Sequence, residues 1–246
     1  ELNVDIIIAE MLVSRGIKTF DQSKSFFRPN ISQLHDPFLM RDMNIAVERI
    51  LLAINQKEKI MVYGDYDVDG ISSVALMSSF LKDMGAIVST YIPDRSEGYG
   101  LSTNGIEEAY EKNQSLIITL DCGINAIQQS KFASEKGVDL IICDHHLPTG
   151  VLPKACAILN PKRKGCNYPF KELCGCGIGF KLIQAINNKS GNKIENILHF
   201  LDLVAIACAA DIVSLEGENR ILTFLGLKQL NSKPRLGIKL LINQKS

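Results

Sequence analysis

The feature that most constrains the fold is a regular alternation between short apolar runs and amphipathic stretches from residue 58 onward. The apolar runs are rich in Val and Ile and predict five β-strands, at 60–64, 87–92, 116–120, 139–143 and 156–159. The amphipathic stretches predict helices at 71–84, 103–113 and 124–136, with two more near 177–188 and 195–209. Nearly continuous apolar strands joined by helices indicate an α/β fold, with a mainly parallel sheet and helices on both faces.

The residues before this alternation predict a small helical segment. Ile6–Arg15 and Met43–Ala53 carry apolar residues at helical spacing, and the stretch between them is irregular. We therefore expect a helical N-terminal segment at 1–57 and an α/β domain at 58–246. Because the chain begins without methionine, we also expect it to be a fragment of a longer protein.

Charge and apolar run lengths restrict the class of protein. The chain has 27 Lys and Arg against 27 Asp and Glu. A dedicated non-specific nucleic-acid binder is usually basic, so the balanced charge argues against one. The argument is weak, because several of the acids are assigned to metal and bound cations would add positive charge. The start lacks a basic region followed by a long apolar one, and the apolar stretch at 203–210 is too short to cross a bilayer. A soluble protein is expected.

The seven cysteines are an odd number and lie mostly inside apolar runs. This pattern favours buried thiols in a reducing cytoplasm over a disulfide framework. A zinc site that includes Cys166, Cys174 and Cys176 is the alternative, although no C-x-x-C pair or fourth ligand at regular spacing accompanies them.

Acidic side chains follow three of the predicted strands. Asp65, Asp67 and Asp69 follow the first strand, Asp121 follows the third, and Asp144–His146 follows the fourth. Ligands of open parallel sheets bind outside the carboxyl ends of the strands. If the first segment is extended, its three alternate carboxylates share one face, and a bound cation would relieve their repulsion. Oxygen-rich clusters suit Mg²⁺, Mn²⁺ or Ca²⁺.

Asp121 and Asp211 each also fit a role outside a metal site. Asp121 taken alone is compatible with a helix cap. Asp211 follows an apolar run, where an unpaired carboxylate would be costly to bury, so we expect it to contact a metal or an arginine. A salt bridge to Arg220 is the alternative to metal binding.

The reaction that suits such a site best is phosphodiester hydrolysis. Two divalent cations held by carboxylates and an imidazole stabilise the attacking and leaving oxygens of a phosphoryl centre. The sequence lacks G-x-x-x-x-G-K-[ST], which disfavours a P-loop NTPase. It also lacks G-x-G-x-x-G after the first strand, which disfavours a dinucleotide oxidoreductase.

Some polar residues outside the acidic clusters are candidates for substrate contacts. Arg95 lies in a glycine-containing segment and can grip phosphate with two hydrogen bonds, unless it pairs with Glu97 or Asp94. Tyr99 either stacks on a base or packs against the protein. The run 162–164, Lys-Arg-Lys, either attracts a nucleic-acid backbone or forms a solvated loop.

Four motifs in order carry a resemblance to the DHH phosphoesterase superfamily and, within it, to the RecJ family of bacterial single-strand-specific exonucleases. These motifs are Gly64–Gly70, Asp121–Gly123, Asp144–His146 and Asp211. Further segments that resemble the catalytic core of that family are Leu34–Phe38, Glu97–Gly100, Cys174–Gly179 and Gly217–Arg220. The resemblance covers nearly the whole chain.

The resemblance implies a division of the ligands between two cations, Mn²⁺ or Mg²⁺. One cation would be held by Asp69, Asp121, His145 and Asp211. The other would be held by Asp65, Asp67 and the shared Asp121. His146 would face the scissile phosphate as a hydrogen-bond donor or charge stabiliser.

The resemblance also implies an activity, namely 5′-to-3′ degradation of single-stranded DNA to nucleotides, in recombination and repair. A single-strand-binding protein and a helicase are the expected protein partners, and the cytoplasm is the expected location. Proteins of the family continue into a cleft-closing domain and an oligonucleotide-binding domain, which this sequence does not resemble. The alternatives are a DHH phosphodiesterase for short oligonucleotides or cyclic dinucleotides, and a non-catalytic DNA-binding relative.

Overall fold

The computed structural model describes residues 4–243, so positions 1–3 and 244–246 of the two predicted parts lie outside the described residues. The strands are β1 (Lys59–Gly64), β2 (Ile87–Tyr91), β3 (Leu116–Leu120), β4 (Asp139–Cys143) and β5 (Ala157–Leu159). They pair in parallel, in the order β2-β1-β3-β4-β5. The five predicted strands are therefore confirmed.

Helices connect and surround the strands. They are α1 (Ile6–Ser14), α2 (Phe20–Phe27), α3 (Met43–Asn55), α4 (Val68–Asp83), α5 (Thr103–Glu111), α6 (Ile127–Glu135), α7 (Gly175–Lys189), α8 (Leu201–Ala210), α9 (Gly217–Ser232) and α10 (Leu236–Asn243). Short 3₁₀ helices lie at Ile31–Gln33, Pro37–Leu39, Arg95–Glu97 and Ile194–Phe200. The helix predicted near 195–209 is thus a 3₁₀ turn followed by α8. No helix within the described part of the chain is long and apolar enough to cross a bilayer.

The sheet separates two apolar cores, which confirms helices on both faces. Side chains of β1 alternate between the cores because successive residues of a strand point to opposite faces. Ile60 and Val62 belong to the larger core with α3, α4, α7 and α8. Met61 and Tyr63 belong to the smaller core with α5 and α6. Helix α3, although in the predicted N-terminal segment, therefore packs directly on the sheet.

A buried ion pair joins α7 to α9 and to the N-terminal segment. Lys181 Nζ lies 3.1 Å from Glu218 Oε1 and donates a hydrogen bond of 2.7 Å to the carbonyl of His35. Glu218 also accepts hydrogen bonds from the Tyr168 hydroxyl and from the His35 backbone N–H. Burial lowers the pKa of Lys181, although Glu218 acts in the opposite direction. The pair therefore fixes the N-terminal segment against the helices that lie behind the sheet.

We expect Glu218→Gln to lower the free energy of unfolding by about 3 kcal/mol, because it leaves the Lys181 ammonium buried without a countercharge. Urea-induced unfolding of both proteins measures the difference. Glu216→Gln is the matched control, since Glu216 is exposed and makes no capping hydrogen bond with its side chain. Equal stability of the two variants would contradict a stabilising role for the buried pair.

Candidate active site

The site lies where the chain changes direction along the sheet. Strand β1 has β2 on one side and β3 on the other, which places a topological switch point between β1 and β3. Gly64 pairs with Leu120, and Leu120 pairs with Cys143. The residues that follow these three are Asp65, Asp121 and Asp144. The acidic strand ends therefore meet at one edge, as the sequence predicts.

The segment from Asp65 to Asp69 is not extended throughout, because α4 begins at Val68. The prediction that its three carboxylates share one face of an extended segment is therefore wrong. Asp65 directly follows β1, whereas Asp67 is the N-cap of α4 and accepts a hydrogen bond of 2.8 Å from Gly70 N. Asp69 lies in the first turn of the helix. A Cβ on Gly70 would come within 2.5 Å of the Asp65 carbonyl oxygen. Glycine therefore lets the helix begin directly against the strand end.

Asp65 holds in place the loop at 92–100 after β2, which contains Gly98 and Gly100; we call it the β2 loop. Asp65 Oδ1 accepts a hydrogen bond from Tyr66 N at 2.6 Å, and its Oδ2 accepts one from Gly100 N at 2.7 Å. Burial raises the pKa of Asp65, and these two hydrogen bonds act against that rise. Each carboxylate oxygen keeps a second lone pair that is free to bind a cation.

Asp69 is held by the N-terminus of α7. Its two oxygens accept hydrogen bonds of 2.7 Å from the backbone N–H groups of Gly175 and Cys176. The partial positive charge of a helix N-terminus stabilises a carboxylate there. Burial nevertheless raises the pKa of Asp69 to about 7, and the charge of Asp211 adds to this rise. The site therefore carries more negative charge than its hydrogen bonds offset.

Asp121 is the most strongly perturbed acid of the site. It has a left-handed backbone, with φ of 63°, and is 1% exposed. Its Oδ1 makes no hydrogen bond and lies 3.1 Å from Nε2 of His145. Burial raises the pKa of Asp121 to about 11, and the charges of Asp69 and Asp67 add to the effect. The helix-cap alternative is wrong, because the N-cap of α6 is Ala126.

His145 lies between Asp121 and Asp211. Its Nε2 is 3.7 Å from Oδ2 of Asp211, and burial lowers its pKa. Asp211 is exposed as the C-cap of α8, so the cost of burying an unpaired carboxylate, from which its metal or arginine contact was predicted, does not arise here. The salt bridge to Arg220 is wrong. Arg220 donates a hydrogen bond to the carbonyl of Phe26 and stacks over its ring at 3.5 Å.

Asp144 orients the ring of His146, a role that the sequence did not assign to it. Nδ1 of His146 lies 2.7 Å from Oδ1 of Asp144, which also accepts a hydrogen bond from the His146 backbone N–H. The hydrogen bond to Asp144 raises the pKa of His146. Nε2 of this half-exposed ring is therefore left free to face a substrate.

The side chains that converge here fit a divalent cation. Ligating atoms of Asp69, His145 and Asp211 all lie within 4.8 Å of one another, as do those of Asp121, His145 and His146. The buried Asp121 oxygen without a hydrogen bond is an additional site for positive charge. Carboxylate oxygens are hard ligands that suit Mn²⁺ or Mg²⁺, and a set of mostly oxygen ligands with one or two imidazoles favours these cations over zinc. Of residues 4–243, no cysteine belongs to either group, and all seven cysteines are free thiols.

Two side chains of the β2 loop extend towards solvent beside the site. Arg95 is exposed and lies 4.9 Å above the ring of Tyr66. The acids proposed as its ion-pair partners are engaged elsewhere, Asp94 with Ser96 and Glu97 with Tyr91 and Ser102. Tyr99 is half-exposed, and its hydroxyl donates a hydrogen bond of 3.4 Å to Asp67 Oδ2.

The basic run at 162–164 is not a uniform solvated loop. Arg163 is buried, and its Nη1 lies 2.9 Å from Asp42 Oδ2. Lys162 is partly buried and pairs with Glu172 at 3.1 Å. Only Lys164 is exposed. The solvated-loop interpretation therefore holds for one residue of the three.

Residues 59–208 match the family described as "DHH family, N-terminal domain". The chain belongs to the DHH family. A single-stranded-DNA-specific exonuclease RecJ from Bacillus subtilis is 44% identical over 98% of this chain and 30% of its own length. The RecJ of Escherichia coli is 38% identical over 80% of this chain and 36% of its own length. The chain thus spans about a third of the length of these DHH-family relatives.

Solved structures of the DHH family share the fold. A crystal structure of exonuclease RecJ bound to manganese has a TM-score of 0.78 and 30% identity, and it covers 87% of this chain and 54% of its own. The RecJ of Thermus thermophilus in complex with Mn²⁺ has a TM-score of 0.79 and 27% identity, over 95% of this chain and 32% of its own. The predicted resemblance to the RecJ family is confirmed.

Proposed function

We propose that this chain is the catalytic core of a metal-dependent exonuclease that hydrolyses single-stranded DNA from the 5′ end and releases nucleotides. The observation that carries the proposal is the buried, hydrogen-bond-free oxygen of Asp121, placed beside His145 at the switch point of the sheet. The relatives support the choice of substrate, since they are named single-stranded-DNA-specific exonucleases. A related structure contains manganese.

Two sets of ligands are part of the proposal. Asp69, Asp121, His145 and Asp211 would hold one divalent cation, and Asp65 and Asp67 would hold the other with Asp121 shared between them. Mn²⁺ or Mg²⁺ bound there supplies charge stabilisation at the phosphoryl centre and activation of water. The first set is supported by the convergence of Asp69, His145 and Asp211.

The chain's own side chains would position and stabilise the substrate. His146, oriented through Nδ1 by Asp144, presents Nε2 to the scissile phosphate and donates a hydrogen bond to one of its oxygens. Arg95, held over Tyr66 and free of the neighbouring acids, would grip a phosphate oxygen with its planar guanidinium. These two groups would act together on the negative charge of the strand.

The biological setting belongs to the same proposal. Seven buried or half-buried free thiols suit a reducing compartment such as the cytoplasm. A role in DNA recombination and repair, with a single-strand-binding protein and a helicase as partners, follows from the family alone. The division into a helical segment at 1–57 and a catalytic domain at 58–246 is part of the same proposal.

The first experiment measures hydrolysis of a 5′-phosphorylated single-stranded oligonucleotide with Mn²⁺, beside a matched duplex and a dinucleotide. Release of mononucleotides from the single strand alone, abolished by a chelator, is the expected result. Cleavage of the dinucleotide alone would assign the chain to the short-substrate phosphodiesterases. Binding of the strand without any cleavage would favour the non-catalytic relative.

We expect His146→Gln to lower kcat by about 10²-fold or more, because it removes a positioned donor to the charge that develops on the phosphate. Mn²⁺-induced stabilisation against heat should stay close to that of the parent chain, since His145 and the aspartates remain. Steady-state kinetics and thermal unfolding with added Mn²⁺ measure the two effects. Loss of the Mn²⁺ effect together with kcat would instead make His146 a metal ligand.

A further inference from the structure

A cavity lies directly beside the motif Asp144–His146, because the next residue, Leu147, lines it. It has a volume of about 490 Å³ and is lined by Leu147, Pro161, Lys162, Arg163, Lys171 and Glu172; we call it the basic cavity. Its wall is tied to the site, because Asn160 Nδ2 donates a hydrogen bond of 2.8 Å to the carbonyl of His146. Oδ1 of the same Asn160 accepts a hydrogen bond of 2.8 Å from Lys162 N. The cavity therefore keeps a fixed position relative to the acidic edge of the sheet.

The charges that line the basic cavity do not cancel. Lys162 is offset by Glu172 at 3.1 Å, and Arg163 by Asp42 at 2.9 Å. Lys171 donates a hydrogen bond of 2.8 Å to the Cys166 carbonyl, and its Nζ has no carboxylate within 4.0 Å anywhere in residues 4–243. Nε and Nη2 of the buried Arg163 have no hydrogen-bond partner. The cavity thus carries a net positive charge next to an acidic site.

We infer that the basic cavity binds a backbone phosphate of the substrate strand, away from the bond that is cleaved. The inference rests on the proposed function and adds a subsite to it. A strand whose scissile phosphate faces His146 passes Leu147, the next residue of the chain and a wall of the cavity. Lysine ammonium groups bind phosphate as point charges.

The Glu172 carboxylate marks the place that a phosphate would take. It sits on Lys162 as an anion in the protein itself, and more than half of its side chain is exposed. An exposed side chain can leave without loss of packing, so a backbone phosphate, which carries the same single negative charge, can replace it on Lys162. Lys171 lines the same cavity and has no carboxylate partner to give up. Glu172 would therefore compete with the strand for the cavity.

This competition gives a test with two opposite signs. Lys171→Gln should raise KM for a long single strand by about three- to tenfold and lower the salt-dependence slope of binding by about 0.7, the loss of one phosphate contact. Glu172→Gln should lower KM, because it removes the competing anion. Lys164→Gln is the control, since this exposed lysine does not line the cavity. Hydrolysis of bis(p-nitrophenyl) phosphate with Mn²⁺ reports whether the metal centre of each variant is intact.

If the parent chain, Lys171→Gln and Glu172→Gln had the same KM for the long single strand, the proposed phosphate subsite would be wrong. An equal loss for Lys164→Gln and Lys171→Gln would contradict it as well, because it would mean general attraction of the strand. Failure of the proposed function has a different signature, in which the parent chain cleaves neither substrate. Binding of a fluorescent single strand then tests the subsite on its own: Lys171→Gln must weaken it and Glu172→Gln must strengthen it.

Discussion

Asp121→Asn is expected to reduce Mn²⁺-dependent cleavage of a single strand by about 10³-fold or more. This loss exceeds the roughly 10- to 100-fold that is typical for residues that only support ligands. The physical reason is that Asp121 combines complete burial with an oxygen that receives no hydrogen bond from the protein. Asn keeps the shape of the side chain but removes the negative charge. Cleavage kinetics and thermal unfolding with added Mn²⁺ measure the effect.

The stability of the metal-free protein provides a second measurement for Asp121→Asn. A pKa of about 11 in the folded state means that Asp121 retains a proton that the unfolded chain loses above about pH 4. Below about pH 4 both the folded and the unfolded chain bind this proton, so Asp121 does not reduce the free energy of unfolding. As the pH rises from there towards 11, only the unfolded chain loses the proton, and the free energy of unfolding falls. With chelator present, the variant should be more stable than the parent chain at pH 8 and gain nothing from Mn²⁺.

The control for Asp121→Asn is Asp83→Asn, an exposed acid at the far end of α4. It should leave cleavage, Mn²⁺ stabilisation and the pH dependence unchanged. Near-normal cleavage by Asp121→Asn would remove this residue from the centre of the site. Weaker cleavage with an undiminished response to Mn²⁺ would assign it a role in substrate binding instead.

The position of the site was predictable from the sequence because two local signals agree. Val- and Ile-rich runs set the ends of β1, β3 and β4 to within one residue, and each run is followed at once by an acid. Parallel pairing then places Asp65, Asp121 and Asp144 together at the carboxyl ends of the strands, independently of the conformation of the loops. The family motifs contain the same residues, so both lines of reasoning select the same side chains.

Other contacts were not predictable because they depend on distant parts of the chain. The α7 N–H groups that hold Asp69 are more than 100 residues away from it in the sequence. The alternating aspartates at 65–69 also fit an extended segment as well as a strand end followed by a helix. Helix α2 was missed because its eight residues are too few for a periodic apolar pattern to be recognised in the sequence. A capping box between Thr19 and Gln22 stabilises its first turn instead.

Gly175→Ala is expected to lower cleavage by about 10²-fold although it changes no ligand. A Cβ at this position would lie 2.5 Å from Oδ1 and 2.6 Å from Cβ of Asp121, far inside contact distance. Either Asp121 or the first turn of α7 has to move, and that turn also holds Asp69. Displacement of a reacting group by about 1 Å is enough for a loss of this size.

Helix propensity alone predicts the opposite sign for the stability of Gly175→Ala, since alanine is favoured over glycine by up to about 1 kcal/mol in a helix. The clash should outweigh this gain, because forced overpacking typically destabilises by about 1–3 kcal/mol. Thermal unfolding with and without Mn²⁺ should therefore show a less stable protein with a weaker Mn²⁺ response. Cleavage assays on the same samples connect this displacement to activity.

Two other glycines separate the clash at Gly175 from a general effect of alanine. Gly177 lies in the same helix, but its added Cβ would come no closer than 3.3 Å to the flexible side chain of Leu173 and 3.5 Å to Sγ of Cys174. Gly150 has open space around it and a backbone that alanine can adopt. Both variants should keep most of the activity. If Gly175→Ala were as active as these two, close packing of α7 on Asp121 would not be what positions the ligands.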